Sequence, residues 1–295
     1  MKNTYLLGIS CALLASLIWS SSFIALKIAI ASMNPMSIVF FRMLLASLMF
    51  AFFYKRFKGL HVNKEDLKWI IFMVVCEPGL YFVFEISALE FTSASQAGVI
   101  VSTMPLLTAI GAGIFLKEEV TKQLIFGSLL AMAGAIWLSL SASANDYAPN
   151  PLLGNTLEAL AMVCAAGYTL SLKHLSKKFS ALFLTAVQAF GGALFFLPLS
   201  LWEFGVRGFS VGYDSFLAVL YLGIVVTMGG YGLFNYALTL APASKISNVI
   251  NLIPAFTIIL AYFILDDVLN QTQIFAAGVI FLGVFISQSI KLKRH

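Results

Sequence analysis

Residues 88–108 read "ALEFTSASQAGVIVSTMPLLT" and residues 237–257 read "ALTLAPASKISNVINLIPAFT". An offset of 149 lays Ala88 and Leu89 on Ala237 and Leu238, Ala94 and Ser95 on Ala243 and Ser244, Pro105 on Pro254 and Thr108 on Thr257. Further on it lays Gly134 on Gly283. Upstream, an offset of 146 lays Gly8 on Gly154, Leu14 on Leu160, Ala15 on Ala161 and Lys27 on Lys173. Identities between apolar stretches are individually weak, but the matched prolines and the shared order of segments give the pattern of an internal repeat. The chain reads as two copies, residues 1–145 and 150–295.

The number of spans in each copy decides how the copies are related. Of 295 residues 60% are hydrophobic and 11% charged, against about 25% charged in a soluble domain. A membrane-crossing helix needs roughly 20 apolar residues. Ten such runs are expected, near 6–27, 36–54, 68–91, 95–116, 123–141, 153–173, 180–202, 215–240, 245–265 and 272–290. They are continuous, unlike the short alternating strands of a membrane barrel. Five spans per copy is an odd number, so the second copy enters the membrane upside down. The expected fold is an all-α polytopic membrane protein of ten transmembrane helices, arranged as two inverted five-helix repeats. Many secondary transporters share that design and bind substrate between the halves.

The basic residues sort by side. Fifteen of the eighteen Lys and Arg fall on one face of this topology, Arg207 alone falls on the other, and Lys27 and Arg42 lie at or within spans. The positive-inside rule then puts both termini in the cytoplasm. The apolar stretch at the start runs on to Ile30, too long for a cleaved signal, and the repeat needs it as a first helix. The net charge of +5 sits in short clusters between spans, which excludes a nucleic-acid reading. Cys11, Cys76 and Cys164 fall in separate spans without paired spacing, and His61, His174 and His295 lie between or after spans, so neither a disulfide framework nor a metal site is expected. No phosphate-binding loop, zinc-protease motif or nucleophile elbow occurs, so neither an enzyme nor a cofactor is expected.

Two carboxyls interrupt the third span, in "CEPGLYFVFEIS" at 76–87. Glu77, Tyr81 and Glu85 are spaced i, i+4, i+8 and form one helical stripe. At an offset of 150 the stripe becomes Thr227, Tyr231 and Asn235 on the eighth span. Two such stripes can face one cavity. An acid inside the membrane points to function by default, against the plain alternative of protonated or hydrogen-bonded structural groups. Glu77 and Glu85 are therefore the candidates for ammonium binding and proton coupling, with Glu77 the deeper. Trp19, Tyr81, Tyr168 and Tyr231 are candidate ring faces for a cation, with ordinary core packing as the alternative. Asn248 and Asn251 on the ninth span, and Ser102 at the position matching Asn251, are candidate substrate contacts or interhelical hydrogen-bond groups.

The remaining charges have plainer readings. Arg42 is expected to pair with an acid or to reach outward, leaving no cation at the midplane and an acidic, aromatic cavity. Lys27 and Lys173 read as interface anchors, Glu90 as interfacial, and Glu158 as an acid favoured near a helix N-terminus. Thr121 and Asn270 suit helix N-caps. Pro105 and Pro254 are expected to kink the fourth and ninth spans.

Three stretches carry a resemblance: "LIWSSSFIALK" with the later "FFR", residues 87–140 from "SALEF" through "LKEEVT" to "WLSL", and residues 235–284 from "NYALTLAPAS" through "LDDVLN" to "FLGV". They are similar to the EamA branch of the drug/metabolite transporter superfamily. The second copy has "LDDV" where the first has "LKEE", which weakens a shared role for the Glu118 position in both halves. The resemblance implies a ten-helix secondary transporter of the bacterial inner membrane that exports amino acids or other amine-bearing metabolites, with a cavity lined by helices 1, 3, 4, 6, 8 and 9. Its expected partners are a small-molecule substrate and the lipid bilayer, with a homodimer left open and no nucleic acid. The alternatives are uptake of organic or quaternary cations, and a component of a lipid-carrier flippase.

Overall fold

The computed structural model describes residues 2–116, 122–145, 148–241, 246, 249–250 and 252–288. They are helical almost throughout: α1 (Lys2–Ile30), α2 (Pro35–Ala51), α3 (Lys64–Val74), α4 (Tyr81–Phe91), α5 (Ala94–Val101), α6 (Met104–Leu116), α7 (Lys122–Leu140), α8 (Pro151–Leu175), α9 (Ala181–Arg207), α10 (Tyr213–Tyr221), α11 (Tyr231–Leu240), α12 (Ile253–Leu265) and α13 (Gln271–Gln288). Five helical stretches are long and apolar enough to cross a membrane: Thr4–Ile30, Lys64–Phe91, Ala94–Gly111, Ala181–Arg207 and Tyr213–Leu240. Shorter apolar helices are Pro35–Ala51, Ile125–Leu140, Ile253–Leu265 and Gln271–Gly283.

Two of the long stretches are broken at matching places. A turn of π-helix, Val75–Leu80, joins α3 to α4, and Glu77 inside it is extended, at φ −150° and ψ 119°. Proline causes this: it disfavours helical backbone in the residue before it and cannot donate its own N–H. A second π-helical segment, Leu222–Gly230, joins α10 to α11. It contains Gly223, Gly229 and Gly230, and the Thr227 hydroxyl donates to the Leu222 carbonyl at 2.8 Å. The prolines expected to kink the fourth and ninth spans instead stand at helix starts. α5 stops at Val101, where Ser102 and Thr103 donate back to Val99 O and Ile100 O at 2.7 and 2.8 Å, and α6 restarts with Pro105 in its first turn. Pro254 likewise opens α12. Proline is favoured there because the first N–H groups of a helix have no intrahelical acceptor.

Caps set other helix limits. Asn270 and Gln273 cap α13 reciprocally, side chain to backbone, at 2.8 and 2.9 Å; Thr121 lies outside the described residues. Lys173 is more than an anchor: its ammonium donates to Leu238 O and Ala241 O at 2.9 and 3.1 Å, closing the C-terminal end of α11.

The principal packing pairs are α2 with α9, α5 with α12, α7 with α13, α4 with α8 and α1 with α11. Exchanging the two copies maps α2 with α9 and α7 with α13 each onto itself, and maps α4 with α8 onto α11 with α1. Glycines make the close approaches, as expected where lipid gives helices no hydrophobic reason to associate. A Cβ on Gly134 would lie 2.9 Å from Ile280 N, and one on Gly283 would lie 2.5 Å from Ala131 N, so these repeat-matched glycines seat α7 and α13 on each other. A Cβ on Gly154 would meet Ala88 O at 2.8 Å and Thr92 N at 2.8 Å; one on Gly8 would meet Ala237 O at 3.6 Å and Ala241 Cβ at 3.6 Å.

Those contacts correct the repeat register. Ala88 and Thr92 correspond to Ala237 and Ala241, an offset of 149 that holds through α4 and α11. Buried residues follow it, with Tyr81, Phe82, Glu85 and Ile86 matching Gly230, Tyr231, Phe234 and Asn235. Tyr231 therefore corresponds to Phe82 and not to Tyr81, and the offset of 150 fails beyond the break.

Candidate functional site

Both breaks contribute to one cavity, the first through Glu77 and the second through Val226. Glu77 in the first, and Tyr81 and Glu85 beyond it, are all buried, and the Tyr81 hydroxyl donates to Glu85 Oε1 at 2.6 Å. Beyond the second stand Tyr231 and Phe234. Trp19 of α1 packs against both and lines the same cavity, with ring centroids 5.0 Å from Tyr231 and 4.8 Å from Phe234. Gly230 makes room for this ring, since a Cβ there would sit 3.0 Å from the indole nitrogen. Tyr168 of α8 and Phe82 of α4 complete the aromatic wall, each with its ring centroid 6.4 Å from that of Tyr231.

Arg42 overturns the expectation of a cavity without a cation. It sits in the middle of α2, is 1% exposed, and lines the same cavity as Glu77 and Glu85. Its Nε donates to Thr227 Oγ1 at 3.1 Å, and its guanidinium carbon lies 4.4 Å from the centroid of the Phe82 ring. The ring face offsets part of the cost of burying the charge. Gly223 allows the approach, because a Cβ there would come within 3.0 Å of Arg42 O. Among the described residues no ion pair within 4.0 Å involves Arg42.

The cavity enclosed by these groups has a volume of about 40 Å³. It draws on α1, α2, α4, α5, α6, α8, α11 and α12, together with both breaks. Pockets that hold a metabolite run to about 300–1,000 Å³, so in this conformation the space is water-sized. Three buried polar atoms on its lining residues have no hydrogen-bond partner among the described residues: Trp19 Nε1, Arg42 Nη1 and Glu85 Oε2. Each such orphan costs about 1–3 kcal/mol or more when charged. Two are donors and one is an acceptor.

Of the residues singled out from sequence, Trp19, Glu77, Tyr81, Glu85, Tyr168 and Tyr231 line the cavity. Ser102 is buried at the end of α5 with its hydroxyl on Val99 O, away from the lining. Asn235 is occupied elsewhere. Its amide oxygen accepts from the Tyr168 hydroxyl at 2.5 Å, and its amide nitrogen donates to Thr185 Oγ1 at 2.7 Å and Gln188 Oε1 at 2.8 Å. Asn248 and Asn251 lie outside the described residues. Sequence reasoning missed Arg42 as a cavity residue, the Thr185 and Gln188 contributions of α9, and Glu158. Glu158 is the eighth residue of α8, beyond its first turn and fully buried. Its signal was available: it shares a helical stripe with Gly154, Ala161 and Ala165, the face on which α8 packs.

The profile of the EamA-like transporter family matches the chain twice, over residues 6–140 and 152–288. The chain belongs to this family of multi-pass membrane transporters. It is 27% identical over 286 residues to an "Uncharacterized transporter" of Archaeoglobus fulgidus, covering 96% of each chain. It is 25% identical to the "Uncharacterized inner membrane transporter YhbE" of Escherichia coli, over 88% of this chain and 81% of that one. A solved structure superposes with a TM-score of 0.65 at 18% identity over 95% of each chain, which shows the shared fold. Family and relatives alike are described as transporters and not as enzymes.

Proposed function

We propose that the chain is a ten-span secondary transporter that moves a small amine-bearing metabolite, an amino acid, by alternating access. In this reading residues 1–145 and 150–295 form two inverted halves in a bacterial inner membrane, with both termini in the cytoplasm. The packing pairs that exchange with the copies support the two-half arrangement, and the Lys/Arg asymmetry supports the orientation. The family resemblance supports export as the direction.

One observation carries the substrate class. Around a single enclosed cavity stand two unpartnered donors, Arg42 Nη1 and Trp19 Nε1, and an unpartnered acceptor, Glu85 Oε2, beside a second carboxyl, Glu77. Guanidinium and indole N–H groups suit a carboxylate, while carboxyls and ring faces suit an ammonium. A zwitterion uses both sets. A quaternary amine would leave the two donors orphaned, which disfavours organic-cation uptake. The cavity must enlarge to admit a metabolite, and the two breaks, where backbone hydrogen bonding is already interrupted, are natural hinges. Glu77 and Glu85 can exchange a proton for the substrate ammonium, because a carboxylate binds the ammonium and a protonated carboxyl releases it.

Thermal-shift screening of the purified protein tests the substrate class. L-amino acids should raise the melting temperature more than their decarboxylated amines or than choline. Equal stabilisation by choline would overturn the zwitterion assignment.

A further inference from the structure

The repeat-matched helix pairs differ at one buried spot. α8 packs on α4 as α1 packs on α11, with Gly154 and Gly8 at corresponding close approaches. One turn further along, the first interface carries Glu158 and Glu85, and the second carries Ala12 and Phe234. Ala12 and Phe234 are both fully buried and fill the space with apolar atoms. The packing therefore does not require carboxyls. Burying them without partners is costly, yet α8 and α4 hold two at 0% and 2% exposure.

The helices run antiparallel here. Gly154 lies against Ala88 and Thr92, and Gly167 lies against Cys76 and Phe72. That register sets Glu158 opposite Glu85. Both oxygens of Glu158 and Oε2 of Glu85 lack hydrogen-bond partners among the described residues. Glu85 Oε1 accepts from Tyr81. Around the pair, α4 supplies Tyr81 and α5 supplies the neutral Gln96, whose Oε1 accepts from Asn155. Glu77 and Arg42 line the cavity with Glu85, and among the described residues α6 and α7 bring no buried acid or base to α8.

We propose that Glu85 and Glu158 form a proton-binding site in which one carboxyl, protonated, donates to the other, so that the pair carries a single exchangeable proton. The step is balanced: a proton from water adds to a carboxylate oxygen to give an O–H that faces the second carboxylate, and its loss restores two carboxylates. Two carboxylates set opposite each other in a buried interface repel, and one shared proton removes that repulsion. Tyr81 occupies Glu85 Oε1, so Oε2 is the oxygen for which Glu158 and a cation in the cavity compete. Because Glu85 also lines the cavity, a cation there releases the proton, and the pair links substrate binding to proton binding. This deepens the transport reading and rests on it for the coupling, but the site itself does not depend on transport.

Infrared difference spectroscopy of the full-length protein in detergent, titrated with pH, reads the protonated carboxyl C=O band without any substrate. The wild type should show a loss of carboxyl band intensity as pH rises that includes one step which Glu158→Gln lacks and Glu158→Asp retains. Should Glu158→Gln fail to fold, Glu158→Ala, which copies Ala12, gives the same comparison. An identical titration in the wild type and the variant would overturn the proposal. So would a Glu158 band that persists at every pH at which the protein stays folded, since the acid would then be structural. A band displaced by sodium chloride at constant pH would overturn it in favour of a metal-cation site. A parallel assay in proteoliposomes, with a radiolabelled amino-acid mixture, separates the two readings. The titration step without any transport would overturn the transport reading and keep the site. Full pH-driven transport by Glu158→Gln would overturn the coupling role of the pair.

Discussion

Arg42 Nε donates to Thr227 Oγ1 at 3.1 Å, joining the middle of α2 to the π-helical break between α10 and α11. The bond ties the one buried cation described at the cavity to the segment that would have to move. Thr227→Val keeps the shape and removes the acceptor. It should lower stability by about 1–3 kcal/mol, as a buried charged donor losing its partner, and Thr227→Ser should recover most of it. Denaturation of the purified variants in detergent checks this.

Arg42→Met removes a buried charge that has no ion pair, while keeping much of the side-chain volume. Replacing such a charge with an apolar group is often neutral or stabilising. The melting temperature should hold or rise, yet amino-acid binding should weaken at least tenfold, about 1.4 kcal/mol. Calorimetric titration alongside melting separates the two effects. Loss of both together would make Arg42 a structural residue.

Asn235→Ala breaks a buried network of Tyr168, Thr185 and Gln188 that ties α8, α9 and α11 together. Several groups lose their partners, so the cost should exceed that of Thr227→Val, with the pH dependence of transport per folded molecule unchanged. Melting curves and proteoliposome uptake over a pH series measure both.

Gly154→Ala inserts a methyl group 2.6 Å from Thr92 Cβ and 2.8 Å from Ala88 O. Overpacking of this kind costs about 1–3 kcal/mol. Gly8→Ala, whose nearest contact is Leu240 Cβ at 3.3 Å, should cost less, and Gly205→Ala, with nothing within 4 Å, should be close to neutral. The order of the three melting temperatures is the test.

Much of this molecule was legible in the sequence because its signals are local. Apolar runs of helical length gave the segments to within a few residues, and acids inside such runs are anomalies that stand out. Glu77 and Glu85 were visible for that reason. What was not legible depends on which face of a helix meets which neighbour. The depth of Arg42 along α2 could be counted, but not that it turns toward Phe82 and Thr227. The short distance of Glu158 from "PNP" suggests a helix-terminal acid, although it shares the small-residue stripe of α8. The register error at Tyr231 arose at Glu77–Pro78, where the helix stops being regular and counting by residue no longer tracks position. Asn235 looked like a site residue because its partners on α9 are some fifty residues away in sequence.

The central claim is that a carboxyl at the first break exchanges a proton for an amine-bearing substrate. The direct measurement is export-direction transport of a radiolabelled amino-acid mixture in proteoliposomes, with the pH on each side set separately. An acidic trans side should accelerate wild-type transport, since protonating Glu77 there releases the ammonium. An alkaline cis side should raise binding, since the carboxylate form captures it. Glu77→Gln, folded to the same melting temperature, should lose this response to the pH gradient. Gradient-driven transport that is unchanged in Glu77→Gln would contradict the account.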